Sequence, residues 1–167
     1  MKNIFKASAV LFVGLSLIVS SCKKEEQIIE GCTDITAMNY QSSATNNNGS
    51  CEFAHQIIVN TWNISSECDG SIMSNVLPET IEVLAGESQG DLMIDLGDAG
   101  IFEGSITSAG IILIPSQEVM GIPIPIPGLS PTINGDGTLD LESNCLVNLT
   151  IDLGVLGSET CVLTLTL

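Results

Sequence analysis

The chain has 167 residues, a formal net charge of −16, 44% hydrophobic residues, 16 glycines and 4% aromatics, a balance that fits a globular, β-rich chain and excludes a disordered one. All 20 acidic residues lie from Glu25 onward, the last lysine is Lys24 and arginine is absent. The body of the protein therefore carries about −18, which repels nucleic-acid phosphates and anionic lipid headgroups and makes both poor partners.

Residues 1–21 place Lys2 and Lys6 ahead of an apolar run from Ala7 to Val19. A run of about 13 residues is too short for a stable bilayer-spanning helix, and the basic start, apolar middle and small residues at its end read as a secretory signal. The run closes on Val19-Ser20-Ser21-Cys22. That order of aliphatic, small, small and cysteine resembles the lipobox of bacterial lipoproteins. The resemblance implies cleavage before Cys22, a diacylglyceryl group on its sulfur and an acyl chain on its amine, which together anchor a protein stably to a bilayer. Residues 22–30 then form a charged, lipidated tether. Its Cys22-Lys23-Lys24-Glu25-Glu26 start is similar to that of Bacteroidota-type lipoproteins, which implies the outer membrane and display on its outer face. A simple spacer is the other reading.

Residues 31–52 form the next unit. Gly31-Cys32-Thr33-Asp34 leads through Asn39-Tyr40 to Asn46-Asn47-Asn48-Gly49-Ser50-Cys51. It resembles a short extracellular repeat, G-C-T-D…N-Y…G-S-C, found in secreted proteins of the same bacterial group. The unit is too small for a core of its own. A Cys32–Cys51 bridge closing about 20 residues supplies about 3 kcal/mol in the loop-entropy model, and Asn46 to Ser50 has turn chemistry. The only cofactor for which the sequence offers ligands is Ca2+, through Asp34, Asn39, Asn46 and Asn48. Calcium wants six to eight oxygens, several of them carboxylate, and this set has one Asp. A disulfide-closed structural knot is the competing reading.

From 55 to 167 the pattern is strand and turn. Thr61 to Ser65, Thr80 to Val83 and Leu92 to Leu96 alternate, and Gly97-Asp98-Ala99-Gly100 makes a turn. Ile101 to Ile106 and Ile111 to Ile114 form a further pair, and Thr138 to Glu142 opens a meander. Val147, Leu149, Ile151 and Leu153 face inward, as do Cys161, Leu163, Leu165 and Leu167 beyond the Gly154–Gly157 turn. About eight short strands without a helical period predict an all-β, antiparallel meander, closed as a barrel or packed as a sandwich. In the last hairpin Cys161 falls near Asp152, about seven residues and roughly 24 Å from Cys145, beyond disulfide reach. Cys68 in the first strand and Cys161 in the last form the better pair, with Cys145 a buried spare and Cys68–Cys145 the alternative.

The same domain carries a second resemblance. Trp62-Asn63-Ile64-Ser65-Ser66-Glu67-Cys68, Ile114-Pro115-Ser116-Gln117, Gly135-Asp136-Gly137-Thr138-Leu139 and Cys161 to Leu167 resemble motifs of small Bacteroidota lipoprotein domains. In these the G-x-G turns the chain into a strand. The resemblance implies a compact, lipocalin-like β-meander and no particular activity.

Catalytic patterns are thin. Gly86-Glu87-Ser88-Gln89-Gly90 matches G-x-S-x-G, but a nucleophile elbow needs a helix behind it and a strand pattern follows. His55 is the one histidine, so a His-based metal site lacks ligands. Glu82, Asp95, Asp140, Glu142 and Asp152 fall on the outward parity, as a solvated face rather than a hydrolytic pair. Trp62 reads as a core anchor or, failing that, as a pocket wall. Gly121 to Pro131 alternates proline with Ile122, Ile124 and Ile126 and adds Leu129. Proline bars a central strand, so this is an extended flap. It either packs its isoleucines over an open end of the domain or covers a small apolar ligand or docks a surface protein or glycan. The chain thus reads as a membrane-anchored, non-catalytic binding or surface-presentation module. A structural envelope spacer is second and a carboxylate-based hydrolase third.

Overall fold

A computed structural model describes residues 27–122 and 130–167. Cys22 and the rest of 1–26 lie outside the described residues, as do Ile124, Ile126 and Leu129. Two short strands, β1 (Glu30–Gly31) and β2 (Asn46–Asn47), pair in parallel. They are followed by one helical turn, α1 (Ala54–Ile57), which the strand-and-turn pattern of the sequence does not predict. Eight longer strands come next: β3 (Thr61–Cys68), β4 (Thr80–Ala85), β5 (Asp91–Asp95), β6 (Ile101–Ile106), β7 (Ile111–Glu118), β8 (Thr132–Leu139), β9 (Cys145–Asp152) and β10 (Ser158–Thr166). Each pairs antiparallel with its neighbour in sequence, and β10 pairs with β3 to close the barrel. The domain is therefore a closed barrel and not a sandwich.

Alternation sets the two faces. Along β9 Cys145, Val147, Leu149 and Ile151 are buried while Leu146, Asn148 and Asp152 are exposed. Apolar side chains fill the inside, while the outer face mixes polar Glu67, Asp136, Asn148 and Thr164 with apolar Ile111, Leu113 and Leu146. Trp62 is fully buried and its indole N–H donates to the Ile58 carbonyl at 2.8 Å, so it is a core anchor. Leu167, expected to face inward, is exposed because the strand ends at Thr166.

The final strand forms the seam. It faces β9 from Ser158↔Asp152 to Leu165↔Cys145, and β3 from Cys161↔Cys68 to Thr166↔Asn63. Cys68 and Cys161 stand directly opposite one another and are bonded. The tight turn sets Cys161 against Leu149 and not near Asp152. It therefore lies four positions from Cys145, about 14 Å along the strand instead of the 24 Å expected, and still out of reach.

Two further details differ from the sequence reading. Asp140 to Asn144 is a turn, with Asp140 accepting from the backbone N–H groups of Glu142 and Asn144, and the strand lies before it as β8. Gly135 and Gly137 sit inside that strand and do not form a turn into it. A Cβ on either would collide with the Asn148 or Leu146 carbonyl of β9, so the glycines let the two backbones approach where the barrel wall bends. In β7, Pro115 has no N–H to give and the register slips between Ile114 and Gln117. The Gln117 carboxamide fills the gap. Its oxygen accepts from Glu103 N–H at 2.8 Å and its nitrogen donates to the carbonyls of Glu103 (2.7 Å) and Pro115 (3.1 Å). A side-chain amide thus stands in for a missing rung between β6 and β7.

The β5–β6 and β9–β10 connections share the sequence D-L-G-x-x-G and one geometry. Asp95 and Asp152 accept from Gly97 and Gly154 N–H at 2.7 and 2.8 Å. Leu96 and Leu153 are buried, and Gly97 and Gly154 have φ of +65° and +62°, where only glycine sits without strain. These turns, with the 69–79 connection and residues 119–122 and 130–131, form one end of the barrel. The 86–90, 107–110 and 140–144 connections form the other, together with α1 and the N-terminal unit. Met38 of that unit packs on the core and lies against Gly110.

Replacing Cys68 and Cys161 together with alanine should cost about 4–5 kcal/mol, the loop-entropy value for a closure of this length. Urea unfolding of the oxidised parent and the double variant measures it. An unchanged midpoint would mean that the hydrogen-bonded seam needs no covalent support.

Candidate functional site

The flap leaves β7 at Val119, which is fully buried, and returns at Pro131. Val119 N–H donates to the Pro131 carbonyl at 2.9 Å, closing the base of the loop. Gly121 lies against the backbone of Asp98 and Gly100 in the first D-L-G-x-x-G turn. Ile122 is buried in the core cluster, so this residue, a candidate contact in the sequence, offers no exposed surface. Burial of its apolar side chain holds the start of the flap down on the barrel end. Met120, beside it, is 82% exposed, and Val155 in the second turn is 85% exposed.

The barrel interior is nearly solid. The space left among Ile81, Ile94, Phe102, Ile114, Leu149 and Leu163 is about 30 Å³, room for about two waters, and an apolar cavity of that kind stays dry. Eight-stranded barrels can fill their interior with side chains or hold one small ligand. This one shares the up-and-down meander of lipocalins and is of the filled kind.

One carboxyl group enters the barrel. Glu159 in β10 is 8% exposed, and its two oxygens accept from the N–H groups of Ile72 (3.0 Å) and Met73 (2.8 Å). Those are free donors at the start of a 3-10 turn, Met73–Asn75, which closes this end with Met73 fully buried. Gly70 leaves the space, since a Cβ there would occupy the Glu159 carboxyl. Asp69 ties the same connection to β10, accepting from Thr160 Oγ and N–H at 2.7 Å each. Those two bonds hold its carboxyl below the usual range. A depressed carboxyl contributes its stability above the ordinary carboxylate range and loses it as the pH falls. Sequence reading passed over Glu159. Its signal was parity, since it alternates inward with Cys161, Leu163 and Leu165.

Cys145 is free and buried. Burial first, and then the negative charge of Asp140, push its thiol up to about 12, which leaves almost no thiolate at neutral pH.

The N-terminal unit is closed by the Cys32–Cys51 bond, and its candidate calcium ligands are each held in local bonds. Asp34 accepts from Thr36 N–H and Oγ, and Asn39 accepts from Glu52 N–H while donating to the Ser50 carbonyl. Asn46 donates to Glu30, and Asn48 accepts from Ser50 N–H. No group of three or more His, Cys, Asp or Glu able to hold a metal occurs among the described residues. The tether is already paired at Ile29, whose N–H and carbonyl bond Thr45.

Ser88 lies in the β4–β5 turn, bonding Asp91 through its backbone, with a strand and no helix behind it. The fold does bring His55 to this turn, but to Gln89, at 3.5 Å. Of the five outward carboxylates, Glu82, Asp140, Glu142 and Asp152 are exposed and Asp95 is half-buried.

Glu159→Ala should lower stability by about 1–3 kcal/mol for each N–H left unpaired, read as a fall in the urea midpoint, and retained stability would mean that water replaces the carboxyl. Cys145 should resist a thiol-directed reagent in the native, oxidised protein and label promptly in denaturant. Rapid native labelling would show that the barrel opens at β9.

Compared with known proteins, the chain matches no family model, no curated protein and no solved structure.

Proposed function

We propose that this protein is a lipid-anchored extracytoplasmic lipoprotein of the outer membrane that presents a rigid β-barrel to its surroundings and catalyses no reaction. One observation carries the reading. The N-terminal unit packs against the end of the barrel where Gly110 lies, and the flap base and the D-L-G-x-x-G turns occupy the opposite end. A chain acylated at Cys22 is therefore held by one end and offers the other. The short distance in sequence from Cys22 to the first bond, at the Gln27 carbonyl, keeps the barrel near the surface that holds it.

The chemistry of the barrel fits presentation better than turnover. Its inward carboxyl, Glu159, is used to bond backbone N–H groups, and the single histidine contacts a glutamine. The strongly acidic body stands off anionic headgroups and nucleic acid, so the bilayer contact runs through the acyl chains. The exposed side chains of Met120 and Val155 on the far end give a protein or glycan partner a place to land.

Cys22→Ser should abolish incorporation of a labelled fatty acid and move the protein out of the membrane fraction. Protease applied to intact cells should remove the barrel of the parent. Absence of acylation in the parent would overturn the anchor, and protection until the outer membrane is opened would overturn display outside.

A further inference from the structure

The crevice between the N-terminal unit and the barrel is unlike the rest of this acidic surface. Thr36 and Phe53 from the N-terminal side, His55 from α1, Gln89 from the β4–β5 turn, and Thr107 and Ser108 from the β6–β7 turn line about 280 Å³. That lies near the lower end of the roughly 300–1,000 Å³ of small-molecule sites, which favour junctions between structural units. The chain has 20 carboxylates, yet among the described residues none lines this crevice. A cation finds no carboxylate among these side chains, and the one basic group among them is the His55 imidazole. A purely apolar ligand would strip water from the hydroxyl and amide groups without replacing their bonds, which costs free energy.

The hydrogen-bonding inventory is mixed. Thr36 Oγ donates to Asp34 at 2.7 Å and so offers lone pairs outward. Thr107 Oγ accepts from Ile111 N–H at 3.1 Å and keeps its own hydrogen to give. His55 Nδ1, Gln89 Oε1 and Ser108 Oγ have no protein partner among the described residues. The Phe53 and His55 rings stand together, tilted at 44° with centroids 5.8 Å apart, and the Phe53 ring supplies an apolar face. Donors and acceptors beside an aromatic ring suit a ligand that is uncharged, carries hydroxyls and has one C–H face.

We infer that this crevice is a binding site for a neutral sugar residue, lying at the end of the barrel next to the N-terminal unit. The C–H face of the pyranose rests on Phe53, and its hydroxyls exchange bonds with His55, Gln89 and Ser108. This site is separate from the flap end, and its failure would leave the lipid anchor untouched.

His55, as the only histidine, gives one imidazole signal, so the full chain without a histidine tag reports on the site directly. The probes are the methyl glycosides of glucose, galactose, mannose and N-acetylglucosamine, titrated while following the His55 1H–13C correlation. At least one should shift the signal saturably with a millimolar Kd, and Gln89→Ala with Ser108→Ala should weaken it about tenfold or more, since two hydrogen bonds are lost and each is worth up to about tenfold. Phe53→Leu should weaken it similarly, with the urea midpoint of each variant confirming the fold. No saturable shift from any of the four sugars would overturn the inference. So would an equal response to inorganic phosphate, or binding unchanged in the Gln89 and Ser108 variant.

Discussion

Closure of the strand circuit is the constraint on which the rest of this molecule depends. A meander of eight strands leaves two edges unless its last strand finds its first, and open edges are sites for unwanted pairing. Here β10 bonds both β9 and β3 over most of its length, and Cys68 faces Cys161 across the seam. Closure also fixes the wall elsewhere. Two glycines in β8 admit the carbonyls of β9, and Gln117 supplies an amide where Pro115 in β7 cannot supply a backbone donor. Each of these corrects a place where eight regular strands would not close.

A closed barrel of this size has room for side chains or for a ligand, and the isoleucine- and leucine-rich strands take the room. The interior is packed to within about 30 Å³, so recognition moves to the ends. At one end the flap base, the Glu159-bonded 3-10 turn and the paired D-L-G-x-x-G turns make a rigid cap. At the other, the disulfide unit leans on the hairpin turns and leaves an uncharged crevice around His55. The two ends differ in chemistry because different chain segments cover them.

Much of the wall was legible from alternation alone. The inward sets of β9 and β10, the buried Trp62 and the turn at Gly97–Gly100 follow from period-two patterning and glycine placement. The repeated D-L-G-x-x-G was also in plain view, though its meaning needs the fold, which brings both copies to the same end of the barrel. Other features misled for physical reasons. Gly135-Asp136-Gly137 has turn composition, yet its glycines serve a close approach of two strands. Ile122 lies in a proline-rich stretch that looks exposed, yet its side chain completes the core. Glu159 has the right parity for burial, but only the partner N–H groups of Ile72 and Met73, more than eighty residues away in sequence, make that burial affordable.

By itself the sequence determined the class of the fold and the acidity of its surface, because both depend on properties local in the chain: the alternation of apolar residues, and the placing of every lysine before Glu25. The resemblance of Val19-Ser20-Ser21-Cys22 to a lipobox is likewise carried by neighbouring residues and needs no fold to be seen. Only the tertiary structure decided barrel over sandwich, the offset that sets Cys161 opposite both Cys68 and Leu149, the filled interior, and the meeting of His55 with Gln89, Thr107 and Ser108. Those depend on register and on which loops share an end. A hydrogen-bonded circuit fixes such relations across long sequence separations, where local patterning has no reach.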